Sequence, residues 1–147
     1  MTDINIKFDL PIFPISTAAK LLNVSVHTLR MYEREGLFIS YKKNPNRRLF
    51  SKSDLERIKC IRRSINDLKI SINGIKAIYS LVPCWSIIKC KKEFREKCPA
   101  FNGHNEPCWS YNRTNNNCKK KGCRNCGVYN KYSDCDKIKD LFKSFPD

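Results

Sequence analysis

Acidic residues are scarce in this chain, and histidine is scarcer. Only 14 Asp and Glu stand against 29 Lys and Arg, with two His, so the net charge is +15 over 147 residues. Such an excess of one sign points to a polyanionic partner, nucleic acid or an anionic surface. No acid–base pair and no nucleophile motif stands out, so the chain is not read as an enzyme. No apolar run approaches membrane-spanning length, and MTDINIKFDLPIF lacks the basic region and unbroken apolar run of a signal peptide. The expectation is a cytoplasmic protein that does not enter a membrane. Cysteine is nearly missing from one half: residues 1–82 hold Cys60 alone, and the other eight lie between Cys84 and Cys135. Charge does not divide this way, at 15 basic against 7 acidic residues before Pro83 and 14 against 7 from there on. The cysteines therefore set a boundary near Pro83. In a reducing interior, clustered cysteines read as metal ligands or redox thiols before disulfides.

The first half reads as a mainly α unit. Residues 4–10 alternate apolar and polar, the period of a strand, which Pro11 and Pro14 end. Ser16 is a candidate cap for a short helix with Ala18, Ala19, Leu21 and Leu22 on its apolar face. Asn23-Val24 turns the chain, Ser25 caps a second helix burying Val26 and Leu29, and Gly36 suits its left-handed end. Two short helices joined this closely are a helix–turn–helix. The outward face of the second offers His27, Thr28, Arg30 and Arg34, all able to bond phosphates or base edges. Phe38 to Tyr41 reads as extended, residues 42–46 as a turn, and Arg47 to Phe50 as a returning strand. This hairpin carries Lys42, Lys43, Arg47 and Arg48 and reads as a wing. Ser53 with Glu56 reads as the capping box of a third helix, with Leu55, Ile58, Ile61, Ile65 and Leu68 at helical spacing. Cys60 reads as a core residue of that helix. A fourth helix carries Ile72, Ile75, Ile78, Tyr79 and Val82.

The run SVHTLRMYEREGL followed by NRRLFSKSDLERIKCIRR closely resembles the DNA-binding domain of MerR-type transcriptional regulators, over roughly Ile12 to Val82. The resemblance implies a winged helix–turn–helix whose second helix enters the major groove while the wing holds the backbone. By position, it implies DNA contacts from Thr17, Ser25, His27, Thr28, Arg30, Tyr32, Arg47, Arg48 and Phe50. Tyr32 and Phe50 have an alternative, packing the wing against the helix. Members of that family usually continue into a long dimerisation helix. Here Pro83 stops any such helix, and no heptad pattern follows. The stretch DKIKDLFKSF, with Ile138, Leu141, Phe142 and Phe145 on one stripe, is a candidate for dimer contacts or for covering its own chain.

The second half repeats itself. PCWS occurs at Pro83 and again at Pro107. The first copy continues through Cys90, seven residues, then CPAF from Cys98; the second through Cys118, seven residues, then CGVY from Cys126. This is a duplicated unit of three cysteines, a tryptophan and a terminal aromatic, to which Cys123 and Cys135 are added. Eight thiols, Cys84, Cys90, Cys98, Cys108, Cys118, Cys123, Cys126 and Cys135, suffice for two four-cysteine sites holding zinc or an iron–sulfur cluster. Only Cys123-x2-Cys126 has the close pair of a zinc knuckle, so the loose spacing and the aromatics favour iron–sulfur over zinc. The same wording resembles a cysteine–tryptophan-rich, two-CW type segment of bacterial signalling and regulatory proteins, which implies a sensory appendage.

The organisation expected is an N-terminal strand or arm at 1–11, a winged helix–turn–helix of four helices and a two-stranded wing at 12–82, a small irregular, metal-bound cysteine-rich module at 83–136, and an amphipathic helix at 137–147. The function expected is a MerR-type transcriptional regulator whose module senses redox, metal or iron–sulfur status. Its partners would be double-stranded DNA, RNA polymerase indirectly, and a second copy through the C-terminal helix or the module. The alternative is an architectural or excisionase-like DNA-binding protein with a zinc-stapled interaction module.

Overall fold

The computed structural model describes residues 9–111, 123–131 and 143. Its first half is built from β1 (Phe13–Pro14), α1 (Ile15–Leu22), α2 (Val26–Arg34), β2 (Tyr41–Asn44), β3 (Arg47–Phe50), α3 (Lys52–Asn66) and α4 (Ile72–Ser80). The second half adds α5 (Cys84–Ile87), α6 (Lys92–Glu96), α7 (Pro99–Asn102), α8 (Gly127–Lys131) and 3-10 turns at Cys108–Ser110 and Cys123–Asn125. The described part of the module is thus a set of short helical turns joined by irregular chain. The arm at 1–8 and most of 137–147 lie outside the described residues, and Asp9 and Leu10 are not in a strand.

The helix–turn–helix forms as its residues dictate. Asn23 takes the left-handed conformation at φ 55° and closes α1, its backbone N–H donating to the carbonyls of Ala19 and Lys20. Ser25 Oγ accepts the Thr28 backbone N–H at 3.0 Å and starts α2. Gly36, at φ 80°, follows the end of α2. The caps of α1 and α3 differ from expectation. Pro14, not Ser16, precedes α1 and makes no side-chain cap; it already sits in β1, paired with β3. At α3 the cap is Ser51, not Ser53. Ser51 Oγ accepts the Asp54 N–H at 3.0 Å, and Asp54 Oδ2 accepts the Ser51 N–H at 2.8 Å. Both are buried, which makes this box strong.

The wing is one strand wider than expected. The antiparallel sheet runs β1-β3-β2, with Phe13 opposite Phe50 and Tyr41 opposite Leu49. Lys42 to Asn44 are strand rather than turn, with an irregularity between Lys42 and Asn44, and only Pro45-Asn46 form the tip. The main core lies where α1, α2, α3 and α4 meet the sheet, around Leu29, Leu37, Phe38, Phe50, Ile58 and Ile61. Ala18 and Ala19 supply the small contact that lets α1 approach closely. Leu68 is 62% exposed and lies past the end of α3, and Ile78 is exposed, so the sequence stripe overran the buried face at both places.

Candidate nucleic-acid interface

His27, Arg30 and Arg34 are exposed on α2. Their spacing of three and four residues puts them on one helix face. Thr28 is half-buried, its hydroxyl 2.8 Å from Ser25 Oγ at the exposed N-terminus of the helix. Thr17 is exposed on α1. Beside this face stands the wing, with Lys42, Lys43 and Arg47 exposed. Arg48 is more withdrawn: its Nε lies 2.5 Å from Glu33 Oε2. Glu33 also accepts the Ser40 hydroxyl at 2.8 Å and faces Lys42 Nζ at 3.7 Å. One carboxylate on α2 therefore ties down the base of the wing. Glu35 pairs instead with Lys76 at 3.1 Å. With both glutamates engaged, Arg30 and Arg34 stay exposed for another anion.

Two expected contact residues are not at this surface. Tyr32 is 3% exposed and Phe50 is 0% exposed. Phe50 packs on Phe38 with ring centroids 5.8 Å apart, and the Tyr32 hydroxyl accepts from Arg62 Nη1 at 3.3 Å. Both rings fill the junction of wing and helices, where apolar burial outweighs any polar contact they would make outside. Of the remaining expected residues, Thr17, Ser25, His27, Arg30, Arg34, Lys42, Lys43 and Arg47 are exposed, while Thr28 and Arg48 are half-buried.

The profile of the MerR HTH family regulatory proteins matches residues 13–81. Residues 13–81 are a MerR-family helix–turn–helix domain. A curated relative, the putative heat shock protein HspR of Streptomyces coelicolor, is 34% identical over 73 residues, covering 50% of this chain and 48% of its own. The chain thus matches about half the length of that relative. No solved structure matches at a significant level.

The cysteine-rich module packs onto this MerR domain. Arg57 of α3 is 1% exposed, although it lies off the apolar stripe of its helix. Its guanidinium sits 3.7 Å from the Tyr129 ring centroid, 5.3 Å from Trp109 and 5.5 Å from Tyr79, and Nη2 donates to the Tyr129 carbonyl at 2.9 Å. Stacking on aromatic faces suits a buried guanidinium. Trp109 Nε1–H donates to the Gly36 carbonyl at 2.7 Å. Arg124 binds both carboxylate oxygens of Asp54, at 2.9 and 2.7 Å, and the Ile39 carbonyl at 2.5 Å. Burial works against the Arg124 charge, but the hydrogen bond and charge of Asp54 outweigh it and hold the pKa above its ordinary value. The Tyr129 hydroxyl accepts the Ile39 N–H at 2.7 Å and faces the Ile39 carbonyl at 3.3 Å. Lys76 adds another bridge, 3.1 Å from Glu35 and 3.2 Å from Glu106.

The sequence repeat is also a structural repeat. Trp85 meets Phe101 edge-on at 4.9 Å and 80°, and Trp109 meets Tyr129 edge-on at 5.1 Å and 87°. In each copy the cysteine before the aromatic opens a helical turn: Asn102 N–H donates to Cys98 O at 3.2 Å, and Asn130 N–H to Cys126 O at 2.9 Å.

The cysteines divide differently. Cys84, Cys108 and Cys126 pack around Val82 and Val128 in a second small core. Cys90 and Cys98 lie half-buried elsewhere in the module. Cys118 and Cys135 lie outside the described residues. Among the described residues no three Cys, His, Asp or Glu side chains gather into a group able to hold a metal. The described residues alone thus do not fit a zinc or iron–sulfur site, and no chemistry is derived through one. His104 is exposed. Cys60 is buried in α3 as expected, and it is disulfide-bonded.

No local pattern marks Arg57, Asp54 or Arg124 as packing residues. Arg124, in KKKGCRNCG, reads as one more cation in a basic run. The usable hint was the surplus of tyrosine and tryptophan in a half too small to bury them alone. No helix among the described residues is long and apolar enough to cross a membrane.

Proposed function

We propose that this protein is a DNA-binding transcriptional regulator that reads duplex DNA with α2 and the wing. One observation carries the reading: α2 and the wing, tied together through Glu33, both present exposed cations on a MerR-family domain. α2 supplies His27, Thr28 and Arg30 to base edges or phosphates, and Lys42, Lys43 and Arg47 hold the backbone. Binding of a mixed-sequence 30-bp duplex (~30 bp, two to three helical turns), followed by fluorescence anisotropy across a salt series, tests it. Affinity is expected to fall linearly on logarithmic axes, and Arg47→Ala to reduce the slope by about 1. Absence of salt-dependent binding by the unaltered protein overturns the reading. It needs no catalytic step, and none is proposed.

In the finer reading, the module reports redox or metal status. The eight cysteines clustered in the second half support it. Metal and sulfide analysis of anaerobically purified protein tests it, together with operator binding in untreated, chelated and oxidised states. Equal affinity in all three leaves a DNA-binding protein without a sensor. Two wings on a pseudo-palindromic site require a dimer, so a second copy belongs to this reading, and RNA polymerase would be reached through the promoter DNA. The excisionase-like alternative gains support from one feature: α4 ends at Ser80 and the module begins at once, at Pro83. A strictly monomeric protein that bends DNA without changing promoter output would favour it.

A further inference from the structure

The wing, Tyr41 to Phe50, joins the rest of the chain at two roots. One is the linker from Gly36 to Ser40, which leaves α2. The other is Ser51 to Asp54, which enters α3. Arg124 touches both: it donates to the Ile39 carbonyl in the first and binds both oxygens of Asp54 in the second. Asp54 in turn holds the Ser51 backbone N–H. Tyr129 occupies both backbone groups of Ile39, and Trp109 occupies the carbonyl of Gly36 at the start of the same linker. On the other side of the hairpin, Glu33 of α2 fixes Ser40 and Arg48. The wing therefore stands between a tie inside the MerR domain and a tie made by the cysteine-rich module.

From this geometry we infer that Arg124, with Tyr129 and Trp109, is a positioning residue for DNA reading, holding both roots of the wing at a set angle to α2. The inference rests on the DNA-binding function proposed above. It gives the module a route to the DNA surface that passes through no long helix. Cys123 precedes Arg124 and Cys126 lies three residues before Tyr129. Any chemistry at those thiols acts next to the groups that hold Ile39.

Carbon truncation removes the fork, and a lysine does not restore it, because the two roots need a planar bidentate donor. Tyr129→Phe keeps the ring on Arg57 and Trp109 and removes only the hydroxyl that meets Ile39. Hydrogen exchange by mass spectrometry on the full chain reads the wing directly, without DNA. In Arg124→Ala, Arg124→Lys and Tyr129→Phe, exchange is expected to rise in the peptide spanning residues 36–50 and to stay unchanged in α1 and the centre of α3. Affinity for the mixed-sequence duplex is expected to fall about tenfold in Arg124→Ala, because wing roots released from Arg124 hold the wing's phosphate contacts less firmly. Arg124→Lys should recover little of it. Should Arg124→Ala fail to fold, Tyr129→Phe decides. Unaltered exchange over residues 36–50 in Tyr129→Phe overturns the inference, as does full recovery by lysine. If the unaltered protein binds no duplex, the DNA-binding reading fails, while the exchange result still decides whether the module holds the wing.

Discussion

The unit that starts at Pro83 and the unit that starts at Pro107 build the same edge-on aromatic pair and surround it differently. In the first, Trp85 and Phe101 are half-buried, and the guanidinium nearest Phe101 is Arg95 of the same unit, 5.8 Å from the ring. In the second, the cation is Arg57, from the third helix of the MerR domain and 3.7 Å from Tyr129. Trp109 joins the main core, whereas Trp85 does not. The repeated motif is thus a corner that accepts a guanidinium. One copy has kept a local partner, and the other has become the joint between the two halves of the protein. Cys84, Cys108 and Cys126, from both copies, share one small core, so the copies are built into a single body rather than strung out as two independent sites.

The strongest way to break this comparison is to remove each tryptophan in turn. Trp109→Ala deletes contacts to Tyr79, Tyr129 and Arg57 and the hydrogen bond to Gly36, and should cost about 3–5 kcal/mol. Trp85→Ala deletes a half-buried ring with one aromatic neighbour and should cost about 1–2 kcal/mol. Urea unfolding followed by circular dichroism measures both. Equal losses would mean that the copies carry equal load and that Trp109 is not the joint.

How much of this was legible beforehand follows from where the interactions are local. The limits of α2 were readable because Ser25 and Gly36 act on neighbouring backbone. The repeat was readable because duplication wrote it twice, though not the ring contact inside each copy. The cap of α3 was not. Ser51 and Ser53 are both good caps, and the Ser-x-x-Glu rule chose Ser53 with Glu56. The structure chose Ser51 because Asp54 can bind Ser51 and Arg124 together, and position 124 is invisible to a local rule. Tyr32 and Phe50 were given to DNA by resemblance, yet burial placed them inside. Arg57 reads as a surface cation until Tyr79, Trp109 and Tyr129 converge on it, and that convergence is tertiary.

A second test probes how closely the second copy approaches the domain. Gly36 has a left-handed backbone, and a Cβ there would collide with the Ser110 hydroxyl. Gly36→Ala should therefore cost about 1–2 kcal/mol, part from backbone strain and part from displacing Ser110. Adding Ser110→Gly should return the second part, a coupling read from a double-mutant cycle. Ser86, the matching serine of the first copy, should show no coupling to Gly36. Coupling at Ser86 instead of Ser110 would reverse the roles assigned to the two units.

The finest test exchanges one hydroxyl between the corners. Tyr129→Phe loses the bond from the Ile39 N–H and the contact with its carbonyl, and should cost about 1 kcal/mol, the usual net value of a lost hydrogen bond with a partner left half-buried. Phe101→Tyr adds a hydroxyl to a half-buried ring that meets Trp85 and Arg95 of its own unit, and should change stability by less than about 0.5 kcal/mol. The difference is small, but it isolates the feature that separates the copies. The ring geometry is common to both, so any difference beyond experimental error belongs to what the hydroxyl touches. If Phe101→Tyr proves as costly as Tyr129→Phe, the first corner too is packed against something beyond Trp85 and Arg95, and its assignment to a purely local partner fails.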